Sequence, residues 1–110
     1  MEGSQIPSFK IQIWGFNKED GYVSYDIKVL TGENSFHIYD RYKNMRSLWE
    51  SIKRDSEHAD RIPEFPPKKW FGNKTKEFLE QRRLALEIFF NTLLESPDKI
   101  IFSHIMKYFK

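Results

Sequence analysis

Four positions in the chain combine charge or an aromatic ring with a spacing that suits anion recognition. They are Arg41 and Tyr42 in "DRYKNM", Lys68 in "PEFPPKKW", and Arg82 in "FLEQRRLALEIFF". Arg82 is the most informative. It stands three residues after Leu79 and four before Leu86, so on a helical wheel it falls inside the apolar stripe of Phe78, Leu79, Leu86, Phe89, Phe90 and Leu93. An unpaired charge in such a place costs on the order of several kcal/mol. Either the guanidinium meets an anion in a polar cavity, or it snorkels to the edge or pairs with a carboxylate such as Glu50. Arg83 lies nearer the edge of the stripe and reads as ordinary surface. Arg41 ends an extended run and leads into a helix. Its side chain is either solvated there or turned into a cleft that Tyr42 walls, and the company of Lys68 and Arg82 favours the second.

Other chemistries find little support. The three histidines, His37, His58 and His104, lie in three different elements without metal-ligand spacing, and read as surface or edge residues. There is no cysteine, which removes disulfides, thiolate metal sites and cysteine nucleophiles, and suits a cytosolic compartment. "GNKT" at Gly72–Thr75 only faintly echoes a phosphate-binding loop, because the GxxxxGK[ST] pattern is missing and no strand precedes it. No nucleophile–base set can be named, so we expect no enzyme, no metal and no cofactor. The 18 basic and 16 acidic side chains give a net charge of +2, too balanced for a dedicated nucleic-acid binder. An anionic partner must be met by local clustering of Lys and Arg.

The elements that would position these residues follow from periodicity. In "FKIQIW" Phe9, Ile11 and Ile13 share one side, in "VSYDIKV" Val23, Tyr25, Ile27 and Val29 do so, and "SFHIY" puts Phe36 and Ile38 on one face. Period two, with breaks at "NKEDG" and "TGEN", predicts a three-stranded antiparallel meander. From Lys43 the period changes: Met45, Leu48, Trp49 and Ile52 mark one helix face, which dissolves into the solvated run "KRDSEHADR". Thr75 caps a long helix to about Leu94, and Ser96 with Pro97 opens a final one. Strands followed by helices predict an α+β domain, the meander packed against a layer of three to four helices. At 110 residues, with 39% apolar and 16% aromatic side chains, one domain with its own core is affordable. Residues 1–8, "MEGSQIPS", read as a flexible leader that is neither signal nor transit peptide, and 9–110 as the domain. No apolar run approaches the roughly 18 residues that span a bilayer.

The loop "PPKKWFGNK" sets Trp70 and Phe71 side by side between prolines and a glycine, in basic company. Tryptophan favours the membrane interface, where its ring is buried and its N–H stays wet. Lys68, Lys69, Lys74 and Lys76 add attraction to anionic lipid of roughly 1 kcal/mol per residue near the surface. The other outcome is that both rings fold back on the domain's own core.

From about Phe9 to Phe109 the chain resembles a PX (phox-homology) domain of the sorting-nexin type. Three motifs carry the resemblance: "RYKNM" is similar to the family's Arg-aromatic-x-x-hydrophobic signature, "IPEFPPK" to its hydrophobic-Pro-x-x-Pro-x-Lys segment, and "FLEQRRLALEIF" to its Arg-Arg-x-x-Leu helix. Met45 departs from the frequent phenylalanine, at a core position. The resemblance implies a module that binds phosphoinositides, most often phosphatidylinositol 3-phosphate, on the cytosolic face of endosomal membranes. Carried over, Arg41 would hold the 3-phosphate and the Tyr42 ring would pack against the inositol. Lys68 would meet the 1-phosphate, and Arg82 the 4- and 5-hydroxyls, leaving little room for phosphates there. The loop tip at Lys69, Trp70, Phe71 and Gly72 would enter the bilayer. The isolated domain would be monomeric and bind no nucleic acid. A rival reading stays open beside it: Pro63, Pro66 and Lys68 fit the PxxPx[KR] pattern gripped by SH3 domains, which would make the chain a protein-interaction module with little lipid affinity.

Overall fold

The structure, a computed structural model, describes residues 9–19 and 21–109; the leader expected over 1–8 lies outside them. Three strands, β1 (Phe9–Glu19), β2 (Tyr22–Thr31) and β3 (Asn34–Asp40), form one antiparallel sheet in the order β1-β2-β3. The meander is therefore as expected, but its first turn is tighter. "NKE" continues β1, with Glu19 opposite Tyr22, and Gly21 takes the positive φ (84°) that the reversal needs. The register shifts between Ile13 and Gly15, a bulge. Ile11, Ile13, Tyr25, Ile27 and Val29 are buried on the inner face, as strand alternation dictates.

Against that face pack α1 (Tyr42–Asp55) and α2 (Lys76–Leu94), while a short 3-10 turn (Ala59–Arg61) lies beside α1 and α3 (Lys99–Tyr108) packs on α1 and α2. α1 buries Met45, Leu48, Trp49 and Ile52, the four positions its period marks. α2 starts where Thr75 accepts the Phe78 N–H, and it buries Leu79, Leu86, Phe89, Phe90 and Leu93. Phe78 is only half-buried, a correction to the stripe. The final helix also begins later than expected: Asp98, not Ser96, accepts the Ile100 N–H, while Ser96 Oγ accepts the Asp98 N–H one step earlier. Asp outcompetes Ser here because its carboxylate also faces the positive end of the helix.

Two sets of hydrogen bonds fix the helices relative to the sheet. The free edge of β1 is completed by α2 side chains rather than by a strand. Asn91 accepts from Ile11 N–H and donates to Ile11 C=O, and Glu87 accepts from Ile13 N–H at 2.7 Å. Arg83 donates to the Ile13 carbonyl and pairs with Glu80 at 2.5 Å, so it is a clamp between α2 and β1 and not ordinary surface. At the other end Asp40 accepts from Arg41 N–H, from Asn44 Nδ2 and from the Tyr108 hydroxyl, tying the start of α1 to the end of α3. No described helix is long and apolar enough to cross a membrane.

Candidate functional site

The segment between the 3-10 turn and α2 builds the site's outer wall. Proline prevents it from donating into a sheet, and its carbonyls accept from the helices instead. Pro63 C=O takes the Trp49 indole N–H at 3.1 Å, Pro66 C=O the Tyr42 hydroxyl, and Pro67 C=O Arg82 Nη2 at 2.9 Å. Phe65 anchors the segment in the core among Tyr42, Trp49 and Phe89. Pro63 and Pro66 are half-buried in this arrangement, so the PxxP surface that an SH3 partner would grip is already packed against the fold.

Behind that wall lies a cleft of about 400 Å³, lined by Tyr42, Lys43, Arg46, Ser47 and Glu50 of α1, by Lys68, Lys69, Trp70 and Asn73 of the loop, and by Arg82. A smaller depression of about 190 Å³ adjoins it and shares Tyr42, Lys43, Asn73 and Arg82. Arg41 and Lys74 line that second one, under Tyr22. Of the four residues singled out from the sequence, Tyr42, Lys68 and Arg82 thus share one cleft. Arg41 stands next door, its guanidinium 4.6 Å from the Tyr22 ring.

Arg82 takes neither of the bland outcomes. Its guanidinium lies over the Tyr42 ring at 3.7 Å and the Phe78 ring at 4.5 Å, and no described carboxylate is within salt-bridge distance. Glu50 pairs instead with Arg46, at 3.7 Å. Burial lowers the Arg82 pKa, opposed by the Tyr42 and Tyr25 hydroxyls and reinforced by Arg46. An arginine still keeps its proton, so the site holds a partly desolvated charge that no described carboxylate pairs with. In the smaller depression the Tyr25 hydroxyl is buried without a partner among the described residues, and burial pushes its pKa up to about 12 against the pull of Arg82.

The loop tip stands open at the cleft's rim. Trp70 is 78% and Phe71 88% exposed, so the rings do not fold back on the core. Gly72 turns the chain with φ of +67°, and Asn73 Nδ2 closes the turn on Lys69 C=O at 2.8 Å. The lysines divide. Lys68 Nζ lies 5.8 Å from the Trp70 ring, and Lys69 Nζ 4.8 Å from that of Phe78. Lys74 donates to Gly21 C=O at 2.7 Å, which pins the loop's end to the β1–β2 turn. Sequence reasoning missed Arg46, Lys43 and Asn73. Arg46 had a signal: it is four residues after Tyr42, hence on the same helix face. His37 and His104 pair with Asp26 and Asp55, away from the cleft.

An α+β module with a cation-lined cleft and an aromatic loop at its rim is the class these features define. A family model described as PX domain matches residues 28–109, and the chain belongs to that family. PX domains are in general phosphoinositide-binding modules that target membranes. A designed CISK-PX domain solved by X-ray diffraction superposes with a TM-score of 0.73 at 30% identity, covering 86% of this chain and 95% of that one. The human and mouse kinesin-like protein KIF16B are each 29% identical over 93 residues, which is 81% of this chain. The chain spans 7% of the length of those two relatives.

Proposed function

We propose that the chain binds phosphatidylinositol 3-phosphate in this cleft and inserts its aromatic loop into the same bilayer. The observation that carries the reading is Arg82, without a salt bridge among the described residues and held over Tyr42 in one cleft with Lys68, whose rim is the exposed Trp70. Arg41 leaves Tyr22 to hold the 3-phosphate, Tyr42 supports the inositol ring, Lys68 meets the 1-phosphate and Arg82 the ring hydroxyls. Bidentate and charge-assisted bonds suit arginine to that task. Lys69, Trp70, Phe71 and Gly72 enter the lipid, and headgroup contact plus insertion supply the two signals that stable anchoring needs. Residues 9–110 act as one unit, peripheral on the cytosolic face of endosomal membranes and monomeric on its own.

Vesicle binding across a panel of phosphoinositides tests the reading. Binding should require a 3-phosphate, and Arg41→Ala should weaken it at least about tenfold, since a charge-assisted bond contributes roughly 1.5–3 kcal/mol. The melting temperature should hardly move, because among the described residues the Arg41 guanidinium stacks on an exposed ring and makes no salt bridge. Wild-type binding that ignores the phosphoinositide would reject the reading, and an Arg41→Ala protein that binds like wild type would reject that residue's role.

A further inference from the structure

The Tyr25 hydroxyl has no task in the roles above. Tyr25 sits on the inner face of β2 and is 1% exposed, its ring edge-on to that of Phe16. Strand alternation and packing account for the ring, and a phenylalanine would serve them equally well. They do not account for the hydroxyl, which is buried and has no hydrogen-bond partner among the described residues. Buried polar groups are nearly always satisfied, and an unmade bond costs stability. An orphan of this kind has a cause, and its surroundings identify it.

Those surroundings are cationic. Tyr25 lines the smaller depression together with four cations, Arg41, Lys43, Lys74 and Arg82, and no described carboxylate lines it. The rings of Tyr22 and Tyr42 hold Arg41 at 4.6 Å and Arg82 at 3.7 Å. Burial pushes the Tyr25 pKa up to about 12, against Arg82 and together with Tyr42. The hydroxyl therefore keeps its proton at neutral pH and can donate it to a hydrogen bond. What it lacks is an acceptor, and among those cations the favoured acceptor carries negative charge. A phosphate oxygen meets both conditions, whereas a neutral inositol hydroxyl would gain less. At about 190 Å³ the depression is the smaller of two adjoining hollows, which leaves the larger one for the ring. The hydroxyl is closed to water, so an anion reaches it only when side chains lining the depression shift. Arg41 and Lys43 end in long flexible stems, and Arg41 leaves Tyr22 for its own task in any case.

We propose that the Tyr25 hydroxyl donates to an oxygen of the phosphate held by Arg41, and so makes Tyr25 a specificity residue for a phosphomonoester in the smaller depression. The proposal rests on the phosphoinositide reading, which gives Tyr25 no role. Without lipid the orphan weakens the fold, and with lipid the same group makes a charge-assisted bond. The hydroxyl thus lowers the stability of the free protein and raises that of the complex.

Tyr25→Phe removes the hydroxyl and keeps the ring. Four proteins are compared: wild type, Tyr25→Phe, Arg41→Ala and the double variant. Each is melted without ligand and titrated with vesicles containing either phosphatidylinositol 3-phosphate or unphosphorylated phosphatidylinositol. Tyr25→Phe should melt at the wild-type temperature or above it, because an unmade bond has been removed. It should bind the 3-phosphate vesicles about tenfold more weakly, as the loss of one charge-assisted bond gives. On the phosphatidylinositol vesicles it should match wild type. In the Arg41→Ala background the same change should cost less than about threefold, since both groups act on one phosphate. If Tyr25→Phe melts early, the cycle still decides, because damage to the fold costs the same in both backgrounds. Wild-type binding by Tyr25→Phe, or an equal loss with and without Arg41, overturns the proposal while the phosphoinositide reading stands. A wild type that does not distinguish the two kinds of vesicle overturns both.

Discussion

Phe65 and the pair Trp70–Phe71 are separated by a few residues of one loop, and their surroundings are opposite. Phe65 is 3% exposed and touches three other rings, while Trp70 and Phe71 are 78% and 88% exposed. The difference comes from the backbone. Around Phe65 the carbonyls of Pro63, Pro66 and Pro67 accept from Trp49, Tyr42 and Arg82, so the arm cannot leave the body. Past Lys68 the chain bonds mainly within itself, through Asn73 and Gly72, until Lys74 ties it to the β1–β2 turn. An anchored arm thus presents an apolar tip that the described residues leave uncovered. Hydrophobicity alone would have treated the three rings alike; what separates them is where the neighbouring hydrogen bonds go.

The comparison is broken most severely at its buried end. Phe65→Ala should cost about 3–5 kcal/mol, the range for a large aromatic removed from a core. The loss should be visible in a urea unfolding midpoint. It should also impair lipid binding, because Tyr42 rests on Phe65. A cost below about 1 kcal/mol would show that the prolines hold the arm without it. A smaller effect sharpens the other end. Thr75 caps α2 immediately after the tip, and Thr75→Ala should lose about 1 kcal/mol in the same unfolding assay. If Thr75→Ala left stability unchanged, the position at which the tip gives way to helix would be set by something other than the cap.

Much of the fold was legible because it rests on periodicity. The inner positions of β1 and β2 and the four buried residues of α1 follow from spacing alone. Arg82 was legible for the opposite reason, as a charge that breaks a period. What spacing does not encode is the partner across space. Arg83 looked like surface because nothing in the chain announces that its reach ends on the Ile13 carbonyl. The same holds for Arg82, which prefers the Pro67 carbonyl and two rings to Glu50. The start of α3 was misplaced because Ser96 and Asp98 are both good caps, and their competition is decided by a single turn of backbone. Arg41 lines the smaller depression with Arg82, and its stacking on Tyr22 depends on a strand pairing far from it in sequence.

The central claim is that the cleft recognises the headgroup while the exposed tip holds the bilayer, and that the two can be separated. The most direct measurement compares wild type with the double variant Trp70→Ala, Phe71→Ala on two ligands: vesicles containing phosphatidylinositol 3-phosphate, and a short-chain, water-soluble form of the same lipid. Burying about half of each ring would contribute on the order of 4–6 kcal/mol at about 25 cal/mol per Å², and ordering the loop leaves part of that. The double variant should therefore lose at least about tenfold on vesicles and stay within about twofold on the soluble lipid. Equal losses on both ligands would mean that the rings support the cleft itself, and would contradict the separation.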